Sequence, residues 1–156
     1  MSLSYVHGTA TRPLIGETIG DFLDQIAARF PKNEALVSVF EDRRYTYREF
    51  VTEVNRVARA LMSLGVQPGE RVGMWSTNCA AWVLTQFATA KIGAILVNIN
   101  PAYRTFELEY ALRQSECNVL VSGESFKEAE YLSMLREIIP ELASTDSKLN
   151  SEKLPN

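Results

Sequence analysis

The 156-residue chain has little of what most active sites are built from. It holds one histidine, His7, and two cysteines, Cys79 and Cys117. Three such residues, far apart, fall short of the usual four-ligand metal set, so no metal site is expected. His7 lies in a patternless leading stretch read as a flexible tail. A general base needs an ordered pocket and an orienting partner, which that stretch does not promise. The eight glycines all occur singly. The patterns G-x-x-x-x-G-K-[ST], G-x-G-x-x-G and G-x-S-x-G are missing, which leaves no phosphate-cradling loop and no nucleophile elbow. No apolar run reaches the roughly 18 residues that suggest a membrane span. The opening "MSLSYVHGTATRP" lacks the apolar centre of a signal peptide. Sixteen basic residues against nineteen acidic give a net charge of −3. Without a basic stripe, a nucleic-acid groove is not expected. The two cysteines read as buried, reduced thiols, which places the protein inside the cell, in the cytoplasm by expectation.

What is present is a globular balance: 46% apolar and 22% charged residues, enough for one ordinary domain. Thr18 to Phe30 has Ile19, Phe22, Leu23, Ile26, Ala27 and Phe30 at helical spacing, and Thr18 with Asp21 resembles a capping box. Pro31 ends that helix. "EALVSVFEDRRYTY" predicts a β-hairpin, with strands Ala35 to Phe40 and Arg44 to Thr46. Thr46 and Glu49 form a second capping box for a longer helix, which turns Phe50, Val51, Val54, Val57, Ala58, Leu61 and Met62 to one side. Gly65 suits its end.

Beyond Pro68-Gly69 the pattern repeats as strand, helix, strand, helix, strand. The strands are Arg71 to Trp75, Ala94 to Ile99 and the "CNVLVSG" segment. Asn78 is expected to cap the first helix, Cys79 to Lys91, and Gly93 to end it. Thr105 is expected to cap the next, Phe106 to Gln114. Ser125 and Glu128 suggest a capping box for a last helix from about Phe126 to Ile139, closed by Pro140. The domain reading is a tail over 1–13, an α/β unit over 14–140, and a polar linker or end over 141–156.

Short, Val/Ile/Leu-rich strands alternating with helices imply an α/β fold: a βαβαβ parallel sheet flanked by helices, preceded by a helix and a hairpin. Ligands of such sheets gather beyond the carboxyl ends of the strands, near a switch in strand order. Those ends are Ser76 to Asn78, Asn98 to Tyr103, and Ser122 with Gly123. The candidate rim is Asn78, Trp82, Asn98, Asn100, Tyr103 and Arg104. Two readings stand side by side. Asn and Pro are strong turn formers, Trp82 fits a core stripe, and Arg104 fits an exposed surface. Equally, amides and an aromatic ring suit the lining of a pocket. Lys91 reads as a helix-end cation. No catalytic residue is assigned.

Several segments together resemble the amino-terminal part of adenylate-forming ligases, and in particular medium- and long-chain fatty acyl-CoA synthetases. They are "YTYREF", "LGVQPGERVGMWSTN", "WVLTQFATAKIGAILVNINPAYR" and "ELEYALRQSECNVLV", and the likeness covers roughly residues 14 to 140. The resemblance implies that the complete enzyme uses ATP and magnesium to adenylate a carboxylate. The acyl group then passes to the thiol of coenzyme A. The family's Ser/Thr/Gly-rich phosphate loop, nucleotide-binding set and carboxy-terminal catalytic lysine have no counterpart here. The chain is therefore expected to be an amino-terminal fragment, inactive alone and binding none of these cofactors by itself. Its natural partner is then the remainder of the parent polypeptide. An uncovered sheet edge and apolar face predict self-association. The competing readings are a self-contained small α/β ligand-binding module, and an interaction domain with no small-molecule role.

Overall fold

The computed structural model describes residues 14–143, together with Gly8, Thr11 and Leu154. His7 and the rest of the leading stretch lie outside the described residues, as does the tail after 143 apart from Leu154.

Helix α1 runs Ile19–Arg29, and Thr18 caps it as expected, its Oγ1 accepting from the Asp21 N–H at 3.1 Å. Strands β1 (Glu34–Ser38) and β2 (Arg43–Thr46) form the antiparallel hairpin. The first strand stops earlier than expected, leaving Val39 and Phe40 exposed in the turn, Phe40 at 99%. Helix α2 spans Tyr47–Ser63. Its capping box is complete: Thr46 N–H donates to Glu49 Oε2 at 2.8 Å, and Glu49 N–H returns to Thr46 Oγ1 at 3.4 Å. Phe50, Val54, Ala58 and Leu61 bury its inner stripe. Fully burying one such large apolar side chain contributes about 1.5–3 kcal/mol. Met62, expected on that stripe, is exposed, as are Ile19, Phe22 and Phe30 of the first helix segment. Periodicity places each on its apolar face, yet the packing covers each only in part; the Arg29 guanidinium lies over the Phe30 ring, 5.0 Å from its centroid.

Strands β3 (Arg71–Trp75), β4 (Ile95–Ile99) and β5 (Val119–Ser122) form one parallel sheet in the order β4-β3-β5. Helices α3 (Ala80–Ile92) and α4 (Thr105–Ser115) are the crossovers. Alternation along β3 sends Val72 to one face and Trp75 to the other. Val72 joins a core with Leu23, Phe50, Val54, Leu61 and Leu84 from α1, α2 and α3. Trp75 joins one with Ile99, Leu108, Leu112, Tyr131, Met134 and Ile138. Helices thus cover both faces. Gly73 leaves room for side chains from its own sheet neighbours to close over β3: a Cβ there would meet Leu120 Cδ1 of β5 at 3.0 Å, Ile99 Cδ1 of β4 at 3.1 Å and Cys117 Sγ at 3.2 Å.

Helix α3 lies between the sheet and the first two helices. Its buried Thr85 and Thr89 hydroxyls donate to the carbonyls of Ala81 and Thr85, at 2.8 and 3.0 Å. Those internal bonds let the helix bury polar side chains without leaving donors unpaired. Lys91 does more than complement a helix end. Its ammonium bonds Asp24 of α1 and Asn55 Oδ1 of α2, the latter at 2.9 Å. Gly20 permits the approach, since a Cβ there would touch Lys91 Cγ at 3.0 Å.

The last helix departs from expectation. Ser125–Phe126 (β6) and Ala129–Glu130 (β7) make a small antiparallel hairpin, with Lys127 at φ 54°. Helix α5 begins only at Tyr131 and runs to Ile138. The serine–glutamate spacing matched a capping box, but Ala129 and Tyr131 are buried in the Trp75 core, and that packing sets the start. A short 3-10 helix follows over Pro140–Ala143.

Gly73→Val is expected to lower unfolding stability by about 2 kcal/mol through overpacking. Urea titration followed by circular dichroism checks it; an unchanged midpoint would refute so close a packing over Gly73.

Candidate functional site

The carboxyl ends of β3 and β4 part to leave a crevice of about 510 Å³. It is lined by Ser76, Thr77, Asn78, Trp82, Asn98, Ile99, Asn100 and Pro101. None of these side chains carries a charge. The sequence-derived rim is thus partly assembled: Asn78, Trp82, Asn98 and Asn100 come together here. Tyr103 and Arg104 stand outside the lining. Tyr103 packs on the Trp75 core, and Arg104 is an exposed residue at the start of α4, its N–H donating to Glu107 Oε2 at 3.1 Å. Thr105 does not cap that helix; its hydroxyl donates to Glu137 of α5. Trp82, read from the sequence either as core or as rim, is half-buried and lines the crevice. Sequence reasoning named no role for Ile99 or Pro101 beyond strand and corner; only the packing of β3 beside β4 puts them on the wall.

The third expected lip, Ser122 with Gly123, is closed. In the order β4-β3-β5 the switch in strand order falls between β3 and β5. There the Gly123 N–H donates to the Trp75 carbonyl at 2.9 Å, and a Cβ on Gly123 would lie 2.9 Å from Ser76 Oγ. The open crevice is on the other side of β3.

Two buried aromatic residues fix the rim. Trp75 and Tyr131 stack with ring centroids 3.7 Å apart and planes 16° from parallel. Trp75 Nε1–H donates to the Asn100 carbonyl at 3.1 Å, and the Tyr131 hydroxyl donates to the Pro101 carbonyl at 2.8 Å. Burial pushes the Tyr131 phenol up, so it stays a donor through the neutral range. The Asn100 side chain is spent on the turn, its Oδ1 accepting the Ala102 N–H at 2.9 Å. Asn100 is thus a turn former that also faces the crevice.

The α3 wall is held from far away in sequence. Asn78 does not cap α3; Cys79 occupies the cap position and makes no side-chain capping bond. Glu41, from the β1–β2 turn, accepts the Ala80 N–H at 2.6 Å and the Ser38 hydroxyl at 2.6 Å. The Ser38 hydroxyl, the Ala80 N–H and nearby Arg43 together hold the Glu41 carboxyl below its ordinary range. A carboxylate at a helix N-terminus is favoured by the exposed N–H groups and the helix dipole.

That contact also tests the fit of a nucleotide. A helix N-terminus after a parallel strand is a natural phosphate seat, but here the protein's own carboxylate takes it. The crevice offers no cation for a polyphosphate and no carboxylate for magnesium. The residues present do not fit a magnesium–triphosphate group.

Strand order, helices on both faces and open strand ends define a doubly wound α/β unit. The model of the AMP-binding enzyme family matches residues 23–155, and the chain belongs to that family. It is 44% identical over 155 residues to the mitochondrial medium-chain acyl-CoA ligase ACSF2 of Rattus norvegicus, and 43% identical to that of Homo sapiens. Each alignment takes in 99% of this chain and 25% of the relative, so the chain spans about a quarter of the length of the curated relatives it matches. Among solved structures, the N-terminal domain of FACL13 from Mycobacterium tuberculosis superposes with a TM-score of 0.71 at 29% identity, covering 83% of this chain and 30% of that one. The anthranilate CoA ligase AuaEII in complex with anthranoyl-AMP superposes at 0.71 with 33% identity, covering 81% and 23%. The chain corresponds to an N-terminal part of an AMP-binding acyl-CoA ligase.

Two substitutions test the site's supports. Tyr131→Phe removes the bond to the Pro101 carbonyl and should cost about 1 kcal/mol. Faster hydrogen exchange at Ala102 than at strand β3 amides would accompany it, and unchanged exchange would refute the tie to the rim. For Glu41, the folded-state pKa is lowered, so its contribution is present above the ordinary value near 4.5 and is lost as pH falls through the folded value. The stability gap between the parent chain and Glu41→Gln should therefore narrow as pH drops from 7 toward the acid range. A gap independent of pH in matched thermal melts would rule out the carboxylate cap.

Proposed function

We propose that this chain forms an N-terminal wall of an ATP-dependent fatty acid–CoA ligase and carries out no chemical step alone. The carrying observation is the match of 99% of the chain to only a quarter of a medium-chain acyl-CoA ligase. The crevice supports the reading: it holds hydrogen-bonding groups and an aromatic ring but no acid, base, cation or nucleophile poised for reaction. Phosphoryl chemistry needs charge stabilisation at the reacting centre, and that must come from the rest of the enzyme. In the complete ligase, ATP, magnesium and coenzyme A would serve the adenylation of a medium- or long-chain fatty acid and its transfer to a thiol. The chain's contribution is the rim, with Asn78, Trp82, Asn98 and Asn100 inside the crevice and Tyr103 and Arg104 beside it.

The partner of this surface is then the remainder of the ligase polypeptide, and we infer that the chain by itself self-associates. The cytoplasmic placement is part of the same proposal. It rests on two free thiols, Cys79 and Cys117, whereas the animal relatives are named as mitochondrial proteins. Fractionation of source cells separates the two compartments. No helix among the described residues is long and apolar enough to cross a membrane.

Calorimetric titration of the chain with magnesium–ATP, and separately with decanoyl-CoA, should be flat, and no pyrophosphate should appear when decanoate and coenzyme A are added. Saturation in the micromolar range would overturn the proposal in favour of a self-contained binding module. Reading the source gene beyond the Asn156 codon is the companion observation. A downstream Ser/Thr/Gly-rich phosphate loop supports the ligase reading, and a stop codon directly after Asn156 counts against it.

A further inference from the structure

We propose that the outer edge of β4 is an interface, and that its occupant is the same edge of a second copy of this chain. This rests on the reading that the chain self-associates, and assigns the strand, the direction and the register.

β4 pairs with β3 on one side, and among the described residues no strand lies on the other. The Ile95 N–H donates to the Glu70 carbonyl at 2.7 Å, so Ile95 turns its backbone polar groups toward β3. By alternation Val97 and Ile99 do the same, while Leu96 and Asn98 turn theirs outward. The strand reads Ile-Leu-Val-Asn-Ile, with no charge and no proline, and its register with β3 is unbroken. Charges, proline and bulges are the usual means of keeping edges apart. The β1–β2 hairpin has charges and a bulge: Glu34, Arg43 and Arg44 lie on it and its register shifts between Glu34 and Leu36. β5, the other edge, is shorter at four residues.

The β4 edge is also self-complementary. In an antiparallel pair, residues whose polar groups point outward face each other and exchange both N–H···O bonds. Leu96 can do this with Asn98 of the second copy, and Asn98 with Leu96 of the second copy. The two-fold axis then passes through Val97 opposite Val97, a pair without hydrogen bonds. Ile95 lies opposite Ile99, and the half-exposed Ile95 side chain gains an apolar neighbour. The same patch meets itself, so the contact closes as a dimer and does not propagate.

Sedimentation velocity over a range of concentrations reads self-association itself. Cysteine substitution reads the register. Val97→Cys should give a disulfide-linked dimer under mild oxidation, because a pair without hydrogen bonds places the two Cα atoms within disulfide reach. Ile95→Cys should not link to itself. Ile95→Lys, at an exposed position, should weaken the dimer at least roughly tenfold. In the unmodified chain, the Leu96 and Asn98 amides should gain hydrogen-exchange protection as concentration rises, which holds the test even where a variant folds poorly. A monomer at every concentration overturns self-association altogether. A dimer that Ile95→Lys leaves intact, that Ile95→Cys cross-links to itself, or in which Leu96 and Asn98 gain no protection, overturns the β4 assignment while self-association stands.

Discussion

The rim of the crevice depends on a stacked pair of buried rings. Trp75 ends the central strand, Tyr131 begins the last helix, and their rings lie flat against each other beneath the β4–α4 corner. Stacking alone is worth about 0.5–1.5 kcal/mol beyond the area buried. Its larger effect is geometric. Each ring carries one polar group, and the two donate to consecutive carbonyls, those of Asn100 and Pro101. A buried indole N–H or phenol without a partner would cost more than the bond contributes when made. The corner is therefore held by donors that have no better place to go.

The opposite wall follows similar logic with charge. Helix α3 begins without a capping side chain of its own, and the carboxylate of Glu41 arrives from the hairpin turn to accept the Ala80 N–H. This ties the hairpin to the carboxyl end of the sheet and occupies the N-terminus of α3, which a phosphate could otherwise have used. Lys91 makes a comparable tie at the far end of the same helix, reaching α1 and α2. Between these two contacts α3 is positioned at both ends by residues from other elements. The wall that carries Trp82 is accordingly a property of the whole N-terminal layer.

Much of the fold was legible in the sequence, for local reasons. The stretch 72–75 is apolar and follows the Pro68-Gly69 turn, and the strand Arg71–Trp75 lies where that pattern puts it. Thr18 and Thr46 announce helices with the spacing their caps require, and Gly93 supplies the left-handed turn that ends α3, at φ 71°. The same local rule misled at Ser125 and Glu128, where burial of Ala129 and Tyr131 outweighed a match of spacing. Glu41 could not be foreseen as the cap of α3, because the bond spans 39 residues and no short window contains both ends. The strand ends were legible as candidate lips. Which side of β3 stays open was not, since that depends on Gly123 fitting against Ser76.

The rim also has a place in time. Its carbonyls meet their donors across separations of 25 residues to Trp75 and 30 to Tyr131. Trp75 leaves the ribosome before the corner does, and Tyr131 leaves after it. At roughly 5–20 residues per second, the corner waits a few seconds of synthesis for its second donor. Until α5 docks, the sheet can exist with its lip unfixed, so the crevice matures later than the strands that frame it.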